Sequence, residues 1–320
     1  MESKMMISKY INPKYLVALV CAISFVACEE EYIPDTNLQE QEVVVEGYVE
    51  VGSNSNPTFV ILTKSIPFIS TIEPDKFTEL FLRGATVTVN DGDKTVTFTE
   101  LCLSDIPEEL KAQVYEVLGY TPDSSAVDIC LYVDLLGQLT KDYGRRYDLK
   151  VLIDGKEITA TTTVPSFVPL DSLKWDDTPG EPSDTLAQLL VTINDPAGVA
   201  NFYRYQTATE GSGFIAPFTS SIDGEIFDGK KFDIPLQKAE RRGGDFDPAS
   251  FGLYLRGDTV TIKWSTIDKA HFDFWNTRDF SANSGGPFSS YTRIASNVKG
   301  GLGIWGGYAT EQYKEVVPFR

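Results

Sequence analysis

The 320-residue chain has one histidine, His271, and four cysteines, and its 28 basic residues face 46 acidic ones. Each shortage excludes something. With a single imidazole, zinc chemistry of the multi-histidine kind is out, and a Ser-His-Asp triad would have to use His271 itself. No complete Gly-x-Ser-x-Gly elbow or catalytic cysteine lies near it in sequence, so His271 reads as a packing or surface residue. A net charge of −18 leaves no electrostatic footprint for nucleic acid or anionic lipid. The apolar run Tyr15–Ala27 is too short to cross about 30 Å of hydrocarbon as a permanent helix. No short-period repeat is present, which argues against a solenoid.

What that run resembles is an export signal. Lys4, Lys9 and Lys14 precede it, and it ends on Phe25-Val26-Ala27-Cys28, a small residue directly before a cysteine. Residues 1–27 are expected to be a lipoprotein signal peptide and Cys28 the lipidation site, its acyl (palmitate-type) chains holding the chain at a bilayer. Cys21 would leave with the signal. Glu29-Glu30-Glu31, placed directly after Cys28 at the start of a tether over 28–42, is read as a surface-export signal in preference to a merely solvated charge run. Without residues 1–27 there remain 25 basic and 45 acidic residues, a net −20 that confers solubility.

With Cys28 acylated, Cys102 and Cys130 are an even pair in an oxidising compartment. They are read as a possible disulfide stapling a helical insertion, with two buried thiols as the alternative. The fold class is expected to be mainly β: an N-terminal immunoglobulin-like β-sandwich over 43–165, a linker over 166–184, and a β-rich domain with one short helix over 185–320. Alternation marks Val43–Val51, Thr58–Ser65, Arg146–Ile153, Glu157–Val164, Leu189–Asp195, Asn201–Thr209, Phe227–Leu236 and Asp258–Ile267 as strands. Ala85–Leu101 reads as a hairpin around Asn90-Asp91-Gly92-Asp93. Helices are expected over Pro107–Leu118 and Asp268–Phe280.

The candidate sites are few. Asp91-Gly92-Asp93 and Asp245-Phe246-Asp247 lack the spacing of a full calcium cage, and the first is turn chemistry. Gly300–Gly307 lacks the Gly-Lys-Ser/Thr end of a phosphate loop; its glycines let the backbone approach a neighbour while Ile304 and Trp305 fill a core. Arg241 and Arg242, in a loop, and the aromatics around Phe214–Phe218 are candidate partner contacts. No metal ligands, cofactor or catalytic constellation can be nominated.

VVVEGYVE after the lipidation cysteine, GATVTVNDGD, YGRRYDLKV with ATTTVP, and SNVKGGLGIWGGY together resemble a family of Bacteroidota outer-membrane lipoproteins catalogued as a domain of unknown function (numbered four-two-four-nine). The resemblance covers about residues 40–318. It implies a gene encoded beside those of TonB-dependent outer-membrane receptors, and so a non-enzymatic surface accessory of such a transporter that captures an unknown small ligand. An adhesin or envelope scaffold is the second reading. A carboxylate-dependent hydrolase is the third, and it requires two acidic side chains converging about 5–10 Å apart in a concave pocket.

Overall fold

A strand with one face in a core alternates apolar and polar residues, and this chain carries that pattern into three sheets. The computed structural model describes residues 41–66, 74–118, 127–240, 246–283 and 293–320. The first strands are β1 (Val43–Val51), β2 (Phe59–Lys64), β3 (Thr86–Asn90), β4 (Thr95–Thr97), β5 (Thr99–Cys102) and β6 (Cys130–Val133). The middle supplies β7 (Arg146–Ile153), β8 (Lys156–Thr163), β9 (Leu170–Asp176), β10 (Leu186–Asn194), β11 (Phe202–Thr209) and β12 (Ser221–Asp223). The last third adds β13 (Lys231–Leu236), β14 (Tyr254–Leu255), β15 (Thr259–Ile267), β16 (Val298–Lys299) and β17 (Leu302–Val316). Among the described residues two α-helices, α1 (Glu108–Leu118) and α2 (Lys269–Asn283), interrupt a mainly β fold.

One sheet of eight strands, in the order β12-β11-β15-β17-β1-β2-β6-β5, is the backbone of the molecule. At its centre β17 pairs with β1 in parallel, Gly47 opposite Trp305 and Tyr48 opposite Gly306. Both smaller sheets cover the same face of it. The five-stranded sheet, β16-β8-β7-β3-β4, packs Val87, Leu149, Val151 and Ile158 against Val45, Val49, Leu62 and Trp305. In the third sheet β10 pairs with β9, β13 and β14, and it packs Leu189, Val191 and Ile193 against Tyr203, Ile262 and Trp264. Each core holds a fully buried tryptophan whose indole N–H is satisfied. Trp305 donates to the Tyr147 carbonyl at 3.1 Å and Trp264 to the Val168 carbonyl at 2.9 Å.

The structure redraws the expected boundaries. Gln41–Arg320 form one compact unit. The stretch expected to be a linker, 166–184, contains β9, and Phe167 packs against both cores. The physical reason is that Val168, Leu170, Leu173 and Trp175 alternate beneath the Pro, Asp and Ser that suggested a linker. Nor is the N-terminal sandwich self-contained, because β16 and β17 from the far end of the chain complete its two layers. No helix among the described residues is long and apolar enough to cross a membrane.

Candidate functional site

The other face of the eight-stranded sheet carries the unusual chemistry. The pairings put Glu46, Tyr48 and Glu50 of β1 on that face with Gly306 and Tyr308 of β17, Ser265 of β15 and Arg204 of β11. Helix α2 lies over them. Its first turn is capped by Asp268, which accepts the His271 backbone N–H at 2.9 Å and fixes the helix to β8 through the Thr162 hydroxyl at 2.7 Å. Phe272 stacks on Phe202 with centroids 4.8 Å apart, anchoring the same end. Glycine at 306 is what admits the helix: a Cβ there would lie 2.7 Å from His271 Nδ1. Gly307 performs the same service on the opposite face, against the backbone of Thr163 and Val164.

Beneath α2 the aromatic rings interlock. His271, fully buried, stacks on Tyr48 at 5.5 Å and meets Tyr308 edge-on at 4.3 Å. Arg204 is buried with its guanidinium 3.9 Å from the centre of the Trp275 ring, and it donates to the Tyr308 hydroxyl at 3.4 Å. Arg278, half-exposed, sits 5.5 Å from the same indole and pairs with Asp279 at 3.0 Å. The Tyr48 hydroxyl donates to Glu46 Oε1 at 3.1 Å.

Tyr48, Tyr308 and Trp275 keep partial solvent contact and Glu46 is exposed, although the surrounding sheet and helix crowd them. Access combined with crowding describes a recess. Its electrostatics follow from the crowding. Although Glu46 reaches solvent, the packing around its carboxyl desolvates it and raises its pKa, only partly offset by the Tyr48 hydroxyl, Arg278 and Arg204. Burial lifts the Tyr48 phenol well above its usual range, with Glu46 adding to the shift, and pushes Tyr308 up to about 12. Burial, reinforced by Arg204, lowers His271 to about 3, so its imidazole is neutral at physiological pH. Further along the same face lies a buried ion pair, Lys263 to Glu50 at 2.7 Å, with the Phe214 ring 5.7 Å from the ammonium.

The sequence-derived candidates distribute differently. Cys28, Glu29, Glu30, Glu31, Arg241 and Arg242 lie outside the described residues, as does Asp245. Cys102 and Cys130 face each other across β5 and β6 and form a disulfide, S–S 1.98 Å. With Asp128 they are the described group whose ligand atoms come within metal-binding range, but the bond consumes both sulfurs, and Asp128 holds the Ser104 N–H and hydroxyl at 2.8 Å each. Asp91 is a turn residue as read, and Gly300–Gly307 runs through a tight turn into β17, packed closely at its glycines. His271 is a packing residue, at the wall of the recess. Glu46, Tyr48, Arg204, Trp275, Arg278 and Tyr308 escaped the sequence reading. The available signal was the alternation in VVVEGYVEV and NFYRYQ, which sets an acid, a phenol and an arginine on strand faces turned away from the apolar cores.

A family described as a domain of unknown function (DUF4249) matches residues 29–314. No curated protein matches the chain.

Proposed function

Because the chain belongs to this family, whose activity is not established, we propose from its own chemistry that it is a surface lipoprotein of the outer membrane, anchored through Cys28. There it serves as an accessory of a TonB-dependent transporter, and the recess under α2 captures the transported nutrient. The recess carries the capture part of the reading. It combines partly exposed aromatic rings with a few convergent charged groups, the usual make-up of a small-molecule site. The anchoring part is supported by arithmetic along the chain. The family match starts at Glu29, the residue after Cys28, and the compact unit starts at Gln41.

The reading is non-enzymatic. Of the two acids that β1 turns to this face, Glu46 is accessible, whereas Glu50 is buried and engaged by Lys263. That supports binding over carboxylate-pair hydrolysis, which needs two carboxylates facing one substrate bond.

The test uses the full chain with an affinity tag in a Bacteroidota host. Feeding an alkyne analogue of palmitate should label the wild type and leave Cys28→Ala unlabelled. Purification from detergent-solubilised outer membranes should bring down a TonB-dependent receptor. A labelled protein that remains a free monomer would refute the transporter role while keeping the anchor; an unlabelled wild type would refute the anchor.

A further inference from the structure

Among the described residues, Arg204 differs from the buried cations Lys263 and Arg256. Lys263 is paired with Glu50 at 2.7 Å, and Arg256 is held by Asp177 at 2.8 Å and by the Ser183 and Pro318 carbonyls. Arg204 is 4 % exposed, yet among the described residues it enters no ion pair, and its Nε has no hydrogen-bond partner. One long bond to the Tyr308 hydroxyl and the face of Trp275 are what hold it. A guanidinium carries five N–H donors in a planar fork, and a buried charge without a counter-charge is costly unless something supplies one. Glu46 acts on Arg204, and Glu50 and Glu46 on Tyr308, only through space.

We propose that the recess binds a small ligand through a carboxylate, which Arg204 receives as its missing counter-ion. The fork suits a carboxylate because two parallel N–H groups match its two oxygens. Tyr308 strengthens the fit. Its oxygen accepts from Arg204 Nη1, so its own O–H is free to donate to the same carboxylate. The partly exposed rings of Tyr48 and Trp275 flank the ligand's ring or apolar part, and Arg278 adds positive charge at the rim. Glu46, with Oε1 taken by the Tyr48 hydroxyl, presents its second oxygen to a donor on the ligand. Peptides at their C-terminus and uronic acids are two kinds of nutrient that carry a carboxylate beside hydrogen-bond donors, and the experiment separates them.

This inference rests on the capture reading but is tested apart from it, on the isolated full-length lipoprotein in detergent, so that loss of receptor copurification leaves it standing. Calorimetric titrations would use two matched pairs: Ala-Ala-Phe with its C-terminal amide, and glucuronic acid with glucose. The acid of one pair should bind at least about tenfold tighter than its neutral partner. Arg204→Gln should remove that preference, and Arg278→Gln should reduce it. The pair that responds names the source. If neither acid binds at millimolar concentration, or if acid and neutral partner bind alike, the proposal is overturned. It is equally overturned if a folded Arg204→Gln keeps the preference. Should Arg204→Gln fail to fold, the acid-against-neutral comparison on the wild type and the effect of Arg278→Gln decide the matter.

Discussion

At Asp91 three backbone N–H groups converge on one carboxylate. Asp93 and Lys94 donate to Oδ1 at 3.0 and 2.9 Å, and Thr140 donates to Oδ2 at 2.9 Å. Burial alone would raise its pKa, but the bonds from Thr140, Lys94 and Asp93 outweigh burial and hold it at about 2 against an ordinary 3.8. The folded-state value is depressed, so the ionised form favours folding. The contribution is full above about pH 4 and is lost as pH falls towards 2, and it amounts to about 2 kcal/mol at neutral pH. Asp91→Asn should therefore be less stable than the wild type at pH 6, with the gap closing towards pH 2. Denaturant unfolding across that range checks this, and parallel curves for the two proteins would contradict it. The turn itself was legible in Asp91-Gly92-Asp93. Its clamp on Thr140 was not, because that partner lies 49 positions away and is supplied by the fold. Glu46 has the opposite sign: its pKa is raised, so ionisation works against folding, a cost suited to a group kept open for a ligand.

The strands show how far alternation carries a reading. Val43–Val51 and Arg146–Ile153 fall where the pattern puts them, since one face of each is in a core and the other is wet or polar. The weak elements were hidden for identifiable reasons. The third sheet uses β9 at its edge, and its Pro- and Asp-rich surroundings look like a linker. The two-residue strands β14 and β16 are too short for any period to register. Helix α2 was legible as a helix, but its anchoring was not. Asp268 serves at once as its N-cap and as the acceptor for Thr162 and Thr163 of β8, so one side chain fixes both the helix start and its seat on the sheet. Asp268→Ala should cost about 1 to 2 kcal/mol, the upper end of a cap deletion because the tie to β8 goes with it. Near-ultraviolet circular dichroism should change as well, since Trp275 and Tyr308 rely on α2 for their packing. A variant that lost stability without that spectral change would mean the cap does not set the seat of the helix.

The largest departure from the sequence reading is architectural, and it governs both the site and the stability. Residues of the recess come from β1, β11, β17 and α2, and they meet only because the last strand pairs in parallel with the first, Val44 opposite Leu302. No local pattern announces a pairing across that much chain, which is why Glu46, Arg204 and Tyr308 could not be grouped from sequence. The same strand ties the two cores together. Trp305 and Ala309 of β17 belong to the first core and Val317, just beyond its end, to the second, while β17 is bonded on one side to β1 and on the other to β15. Two domains joined by a linker would unfold independently; two cores under one continuous sheet should not. The chain is therefore expected to melt in a single calorimetric transition, with calorimetric and van't Hoff enthalpies in agreement. Trp305→Phe probes the first core and Trp264→Phe the second, and each should cost about 1 to 3 kcal/mol from the lost indole volume and its hydrogen bond. Both substitutions should lower the same transition, leaving no fraction of the signal at the wild-type temperature. If either left a part of the heat absorption unmoved, the cores would be separate folding units, and the sheet joining them at β17 would be a contact between domains, with the recess formed only when they meet.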